Sequence, residues 1–377
     1  MTTVLIAADI CPIEGNLPFF LRADADSLFH DLLPEFKQAD LVVANLECPL
    51  IEAPSPILKT GPTFGAPPAC IEAIRAGHID TLCLANNHIL DHGAAGLKST
   101  LEACARAGIH TVGAGENRQA ARRILIRQAG SKRIGLLAVA EHEFSIAGRD
   151  SWGANPIDLI DFVRNVREHR ADFDYLIVLV HGSAEFHAPT PRIRDTCRFM
   201  VEMGANAVIV QHPHMLGGHE LYQDGHIVYG QGALVMDEAL YRPLKSFHQG
   251  VVVRLAIPDQ GPSTMDLLPF TQSDPVPGAR RMPGDQARAF LETLAARSAN
   301  LANDALVEAQ WVEFCEKRRH GYISSFLGHG GILRRLNRKG WLERFLYGPR
   351  RLAGARNLVS CETHREALQT LFDRRLV

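Results

Sequence analysis

Metal-seeking side chains recur in this chain at one kind of place, directly after a short apolar run. Asp9 follows Val4-Leu5-Ile6-Ala7-Ala8, and Glu47 closes Asn45-Leu46-Glu47 after Leu41-Val42-Val43-Ala44. Asn86-Asn87-His88 follows Thr81 to Ala85, His181 follows Tyr175 to Val180, and His212-Pro213-His214 follows Ala207 to Val210. Carboxylate, amide and imidazole donors together suit a hard or borderline divalent cation. Asp9 offers a carboxylate to such an ion. Glu47 could bridge two ions, since its two oxygens carry several lone pairs. Asn87 can offer its amide oxygen. His88 beside it can give a proton to a leaving oxygen, and Asp91, three residues on, can orient an imidazole. His181 ends a very apolar run and needs a partner there. Proline biases His212 toward extended backbone, and alternation then sends both rings of the pair to one side. Each segment alone has an ordinary alternative: a turn aspartate, a helix cap, a satisfied core histidine. Five with the same pattern point to a metal site.

Further candidates flank these. Glu185, in His181-Gly182-Ser183-Ala184-Glu185, could orient a ligand histidine or contact substrate. Lys59, in Lys59-Thr60-Gly61-Pro62, offers a cation to an anionic substrate, with a solvated lysine as the plain alternative. Glu141 and His142 follow the run Ile134 to Ala140 and are expected to face the same crevice. Cys11 lies two residues after Asp9, but no second cysteine supports a thiolate site.

The elements that must carry these residues alternate. Runs with strand character are separated by helical patterns at Ser27–Gln38, Ala69–Ala76, Ala94–Ala107, Asp158–His169 and Arg192–Met203. Alternation of this kind predicts a layered α/β domain, and in such folds the loops beyond the strands' carboxyl ends line the ligand crevice. The later strands around Ile227–Tyr229 and Gly250–Leu255 predict a mixed sheet. The catalytic domain is expected to span residues 1–272. The Pro/Gly-rich stretch 273–285 reads as a linker, and 286–377 as a helical C-terminal region. In that region Trp311 and Phe314 share a face, and Thr363 with Glu366 could form a capping box. From Arg334 to Val377 there are eleven Lys/Arg against four Asp/Glu.

A net charge of -2 over 377 residues argues against a nucleic-acid or membrane surface. No apolar run is long enough to span a bilayer. The eight cysteines show no C-x-x-C and no disulfide framework. Met1 leads straight into a strand without a leader pattern. A cytoplasmic location is expected.

In order and spacing, these segments resemble the CapA-type family of bacterial capsule and poly-gamma-glutamate synthesis proteins, a branch of the calcineurin-like metallophosphoesterases. Asn45-Leu46-Glu47, Asn86-Asn87-His88 with Asp91-His92-Gly93, and His212-Pro213-His214 match the family's motifs intact. Ala8-Asp9, Lys59-Thr60-Gly61-Pro62 with Ala66-Pro67-Pro68, and His181-Gly182-Ser183-Ala184-Glu185 are similar to them. Gly230-Gln231-Gly232-Ala233-Leu234 is a degraded form of Ser-Leu-Gly-Asn-Phe. The resemblance covers roughly residues 3 to 255. It implies a four-layer αββα sandwich and two divalent cations (Mn, Fe or Zn). On its pattern Glu47 bridges them, Asp9 and His214 hold one, Asn87, His181 and His212 hold the other, and His88 is the acid. Cys11 stands where the wider superfamily has histidine, and Gly182 where the family has tryptophan. The first metal position and the substrate pocket are therefore where this chain departs.

The expected activity is metal-dependent hydrolysis of a phosphoester or of an amide in a polyglutamate-like polymer. Two cations on the order of 3.5–4 Å apart would activate water and stabilise the displaced oxygen. Partners would be an anionic small molecule or polymer, and a partner enzyme met through the basic C-terminal helices. Two alternatives stand beside this. One is a non-hydrolytic accessory protein of polymer synthesis. The other is a metal-free acid–base enzyme such as an epimerase.

Overall fold

A computed structural model describes residues 1–326, 330–341, 348–360 and 362–376. In chain order its strands are β1 (Thr2–Ile10), β2 (Leu41–Leu46), β3 (Thr81–Cys83), β4 (His110–Val112), β5 (Ala114–Gly115), β6 (Leu125–Ala129), β7 (Lys132–Ala140) and β8 (Gly153–Ala154). They continue with β9 (Tyr175–His181), β10 (Ala207–Gln211), β11 (His219–Tyr222), β12 (Gly225–Tyr229), β13 (Ala233–Val235), β14 (Gln249–Ile257), β15 (Thr264–Gln272) and β16 (Ala279–Arg281).

Two large mixed sheets result, and β5 and β8 pair separately from them. One runs β16-β15-β14-β1-β2-β3-β4, with β13 also paired to β1; the other runs β11-β12-β10-β9-β7-β6. Strands β1 to β4 are parallel, as are β7, β9, β10 and β12. Strands buried on both faces read as unbroken apolar runs, and period-2 alternation sorts their side chains. Ile177, Leu179 and Ile209 face the first sheet, in one buried cluster with Val4, Ile6 and Val43. Their neighbours Leu176, Val178, Val180 and Val208 pack against Phe162, Ile193, Cys197 and Met200, on helices Leu159–Glu168 and Pro191–Glu202. Leu28, Phe36, Ile74 and Leu97, on helices, belong to the first cluster. The result is the αββα sandwich that the resemblance implied.

Helix ends follow local chemistry. The Asp158 carboxylate accepts from the N–H groups of Ile160 and Asp161, and Thr190 caps Ile193. Gly108 closes the helix Gly93–Ala107 at φ 71°, a left-handed position that suits glycine. The single helix predicted over Ser27–Gln38 is interrupted. It divides into Ala25–Phe29, a 3-10 turn and Leu33–Gln38. Pro34 has no N–H for the carbonyl of His30, and its ring crowds that carbonyl; His30 turns to φ 41°.

The stretch 273–285 is not a free linker. Ala279–Arg281 pairs antiparallel with β15, and the Arg281 N–H donates to Asp31 at 2.8 Å. The helix Gly284–Asn300 follows, with Leu294 packed near Leu216 and Val251. The chain divides into compact units Met1–Glu308 and Ala309–Val377, so the boundary lies beyond residue 272. The second unit is helical. In it Trp311 and Phe314 stack with centroids 5.3 Å apart, as their shared face predicts. Its last described helix begins at Glu362, which puts Thr363 inside the first turn and not at the cap. No described helix is long and apolar enough to cross a membrane.

Candidate metal centre

Asp9, Glu47, Asn87, His181, His212 and His214 converge at the strands' carboxyl ends, between the two sheets. The register of β1 against β2 shifts between Ile6 and Asp9, which sets Asp9 beside Asn45. Such irregularities re-aim side chains next to functional sites. Two donor sets share Glu47: Asp9, Glu47 and His214, and Glu47, His181 and His212, each with its ligand atoms within 4.8 Å of one another. His181 Nε2 lies 3.0 Å from Asn87 Oδ1 and 3.4 Å from Glu47 Oε1. Ligands bonded at about 2.1 Å to one ion lie roughly 3 Å apart, so these three atoms have the spacing of neighbours around a shared cation.

The electrostatics are those of a site built for positive charge. Burial, and then the neighbouring Glu47, raises Asp9 well above the usual carboxylate range. Burial pushes Glu47 up to about 8. Burial, followed by repulsion among neighbouring histidines, drives His181, His212 and His214 well below the usual imidazole value. They are neutral at pH 7, the form that ligates a metal. Glu47 Oε2, His212 Nδ1 and His214 Nδ1 are buried without a hydrogen-bond partner. Orphaned buried polar atoms cost about 1–3 kcal/mol each, and divalent cations would satisfy all three. The donor set fits such ions.

His212 and His214 reach the site by a route the sequence did not show. Extended backbone was expected at His212, but its φ is 96°, and that of His214 is 51°. Tertiary packing overrides the bias that Pro213 imposes. The His212 N–H points at Asp9 Oδ2, 3.3 Å away, and the two rings still share the site with centroids 5.9 Å apart.

The His88 ring is held from two sides. Its Nδ1 lies 2.6 Å from Asp91 Oδ2, and Phe64 lies against it at 4.5 Å between centroids. Asp91 also accepts from the Phe64 N–H at 2.7 Å and from Lys59 Nζ at 2.6 Å. The Lys59 side chain is only 2% exposed. It is neither a solvated lysine nor an open hand for an anion; its charge is taken up by Asp91, and it also rests over the ring of Phe144.

Glu141 and His142 divide. Glu141 stands beside the site, accepting from the Ser183 N–H at 2.9 Å and pairing with Arg192. His142 is exposed, and the charges it senses are Arg118 and Asp158, not the ligand cluster. The adjacent Glu143 makes the closer contact, accepting from Asn87 Nδ2 at 2.8 Å and so turning Oδ1 toward His181. Gly182 explains the position of Glu141. A Cβ at residue 182 would meet Glu141 Cγ at 2.5 Å. Gly182→Ala should therefore cost about 1–3 kcal/mol through overpacking, and adding Glu141→Ala should recover most of it. Thermal denaturation of the single and double variants checks this.

Several amides also belong to the site. Asn45 Nδ2 donates to Asp9 Oδ1 at 2.9 Å, and Asn86 Nδ2 donates to Asn45 Oδ1 at 3.0 Å. Asn86 Oδ1 accepts the His88 N–H at 3.1 Å. One amide relay thus links the Asp9 carboxylate to the His88 backbone. Gln231 Nε2 donates to the carbonyls of Ile6 and Val251, while Gln211 Nε2 donates to Ala7 O and Gln231 Oε1, both at 3.2 Å. The asparagines lie in the quoted motifs, so position was their only signal; Gln211 had none. Phe186, Tyr241 and Phe247 form an aromatic wall beside His214. The Tyr241 hydroxyl donates to Glu185 Oε2 at 3.0 Å. Cys11 is buried, its Sγ pointing to the Glu47 carbonyl at 3.9 Å.

Residues 5–238 match the family model described as bacterial capsule synthesis protein PGA_cap. A capsule biosynthesis protein CapA of Bacillus anthracis is 28% identical over 259 residues, covering 66% of this chain and 62% of that protein. A PGA biosynthesis protein CapA of Bacillus subtilis is 26% identical, covering 67% of each. The match thus spans less than two thirds of the first relative's length. Among solved structures, a phosphatase of Mycoplasma pneumoniae superposes with TM-score 0.46 at 11% identity, covering 73% of this chain and 95% of that one. The matched stretch runs from β1 through β13 and holds every candidate ligand, and the chain belongs to the bacterial capsule synthesis protein family.

Proposed function

We propose that this chain is a metal-dependent hydrolase acting on a phosphoester, or on an amide of a polyglutamate-like polymer, in capsule or envelope polymer metabolism. One observation carries the reading: two donor sets share Glu47, and the buried ligand atoms around it lack partners. Asp9, Glu47 and His214 would hold one cation, and Glu47, Asn87, His181 and His212 a second. The nitrogen and oxygen donors suit Mn, Fe or Zn. Bound there, the ions would polarise the scissile group and lower the pKa of an attacking water. The chain's own groups do the rest. Asp91, itself held by Lys59, accepts at His88 Nδ1 and leaves Nε2 to protonate the departing oxygen or nitrogen. Glu143 fixes the Asn87 amide, and the asparagine relay fixes Asp9 and the His88 backbone. Arg192, held by Glu141 at the rim, would meet an anionic substrate.

The test is hydrolysis of bis(p-nitrophenyl) phosphate and of poly-gamma-glutamate with added Mn²⁺, by the parent chain and by His212→Ala. The parent should turn over one of them, and the variant should lose about 10²-fold or more, the scale expected when a metal's support is removed. Equal rates would remove the reading.

A docking role beside catalysis has its own observation. Ile332, Leu336 and Trp341 are 80%, 65% and 71% exposed, among Arg334, Arg335, Arg338 and Lys339. A basic, partly apolar surface of this kind fits an anionic polymer or a polymer-synthesising partner enzyme. Salt-sensitive binding of poly-gamma-glutamate without turnover would favour the accessory reading. The seven described cysteines form no disulfide, which supports a reducing, cytoplasmic setting.

A further inference from the structure

Glu185 stands apart from the donors named so far, yet its carboxylate belongs to a third donor set, with His212 and His214, whose ligand atoms also lie within 4.8 Å of one another. We infer that Glu185 is a direct cation ligand, sharing its ion with a histidine of the His212–His214 pair, and that Cys11 is not a ligand. The inference rests on the metal-dependent reading above and adds a ligand to it.

Three features argue for it. First, the backbone on both sides of Glu185 is held in left-handed conformations, with φ of 87° at Ser183 and 53° at Phe186. Strain of this kind persists where the surroundings enforce it, and it clusters at functional sites. Here the surroundings are the ligand loop itself: the Phe186 N–H donates to Pro213 O at 2.8 Å, tying Glu185 to the two histidines on either side of Pro213. Second, the Tyr241 hydroxyl donates to Glu185 Oε2 at 3.0 Å. Ligand carboxylates are characteristically oriented by such outer hydrogen bonds. Third, His212 Nδ1 and His214 Nδ1 are buried without a hydrogen-bond partner, so both imidazoles of the set have coordinating capacity to spare.

Cys11 fails on the same criteria. It is fully buried, and its thiol is directed at the Glu47 carbonyl, not at the carboxylates or imidazoles. No donor set among the described residues includes it. With Glu185 included, three carboxylates face two divalent cations. One net positive charge would remain toward an anionic substrate.

The experiment is titration of metal-free protein with Mn²⁺ by calorimetry, together with the absorption spectrum of the Co²⁺ form. The parent chain should take up two ions with no thiolate-to-cobalt charge-transfer band. Glu185→Gln should keep one ion at parental affinity and bind the other about 100-fold more weakly. Tyr241→Phe, which leaves the carboxylate in place and guards against a folding failure of the first variant, should weaken the same ion about 10-fold. Cys11→Ala should bind both ions as the parent does. Two parental affinities in both Glu185→Gln and Tyr241→Phe would overturn the assignment while leaving the metal-dependent reading intact. A charge-transfer band that disappears in Cys11→Ala would also overturn it. A parent chain that binds no ion would remove both.

Discussion

Mn²⁺ at about 100 times its dissociation constant should add about 2.7 kcal/mol to the stability of the metal-free protein. For a chain of this size that corresponds to a rise in melting temperature of roughly 3–4 °C. The gain at fixed Mn²⁺ should be larger at pH 8 than at pH 6, and the sign follows from Glu47. Its carboxyl is pushed up to about 8 by burial, far above its unfolded value. The metal-free fold therefore keeps a proton that the unfolded chain gives up. Its stability falls as pH rises from about 4.5 toward 8. A cation needs the carboxylate, so binding releases that proton and cancels the loss. The three histidines, held neutral by burial, release none. Scanning calorimetry at both pH values, with and without Mn²⁺, checks this. A gain equal at both would show that Glu47 does not meet the ion.

Lys59→Met should destabilise the protein by about 3–5 kcal/mol, because it leaves the buried Asp91 carboxylate without its cation. Both side chains are almost wholly buried, 2% and 0% exposed, and their charged atoms lie 2.6 Å apart. This is the regime in which removing one partner costs most. The double variant Lys59→Met/Asp91→Leu should regain much of that stability. It should not regain activity, since His88 loses the acceptor that orients its ring. With His88 as the proton donor, the double variant loses about 10²–10⁴-fold on an ester with a poor leaving group. It should lose much less on a p-nitrophenyl ester, whose leaving group departs without a proton. Denaturant melts and the two substrates separate the structural effect from the chemical one. A Lys59→Met protein as stable as the parent would mean that the pair is not worth what its burial implies.

The convergence of Asp9, Glu47, Asn87, His181, His212 and His214 at the strand ends was legible because both of its signals are local. An apolar run buried on two faces shows as unbroken Val, Ile and Leu, and the polar residue ending it must lie at the sheet's edge. What was not legible depends on distant partners. Lys59 reads as a solvent lysine until Asp91, 32 residues on, closes over it. Gln211 looks like the plain end of a strand, yet it reaches Ala7 across 204 residues of sequence. The composition of 273–285 is that of a linker; only the pairing with β15 shows that it joins the sheet. The left-handed backbone at His212 contradicts the bias of its own neighbour, and tertiary contacts alone impose it. Pro34 is different: it was visible and should have divided the helix placed over it.

The pair Gln211–Gln231 has a mechanical consequence. Its hydrogen bonds run from β10 in one sheet to β1 and β14 in the other, beneath the ligands. The sheets are thereby bolted together where a sliding motion would pull the candidate ligands apart. Breathing of the site must then come from the rim, in the segments 183–187 and 236–248, while the floor stays rigid. In hydrogen exchange, the amides of β1 around Ile6 and Ala7 should open only with global unfolding, and those of the rim far sooner.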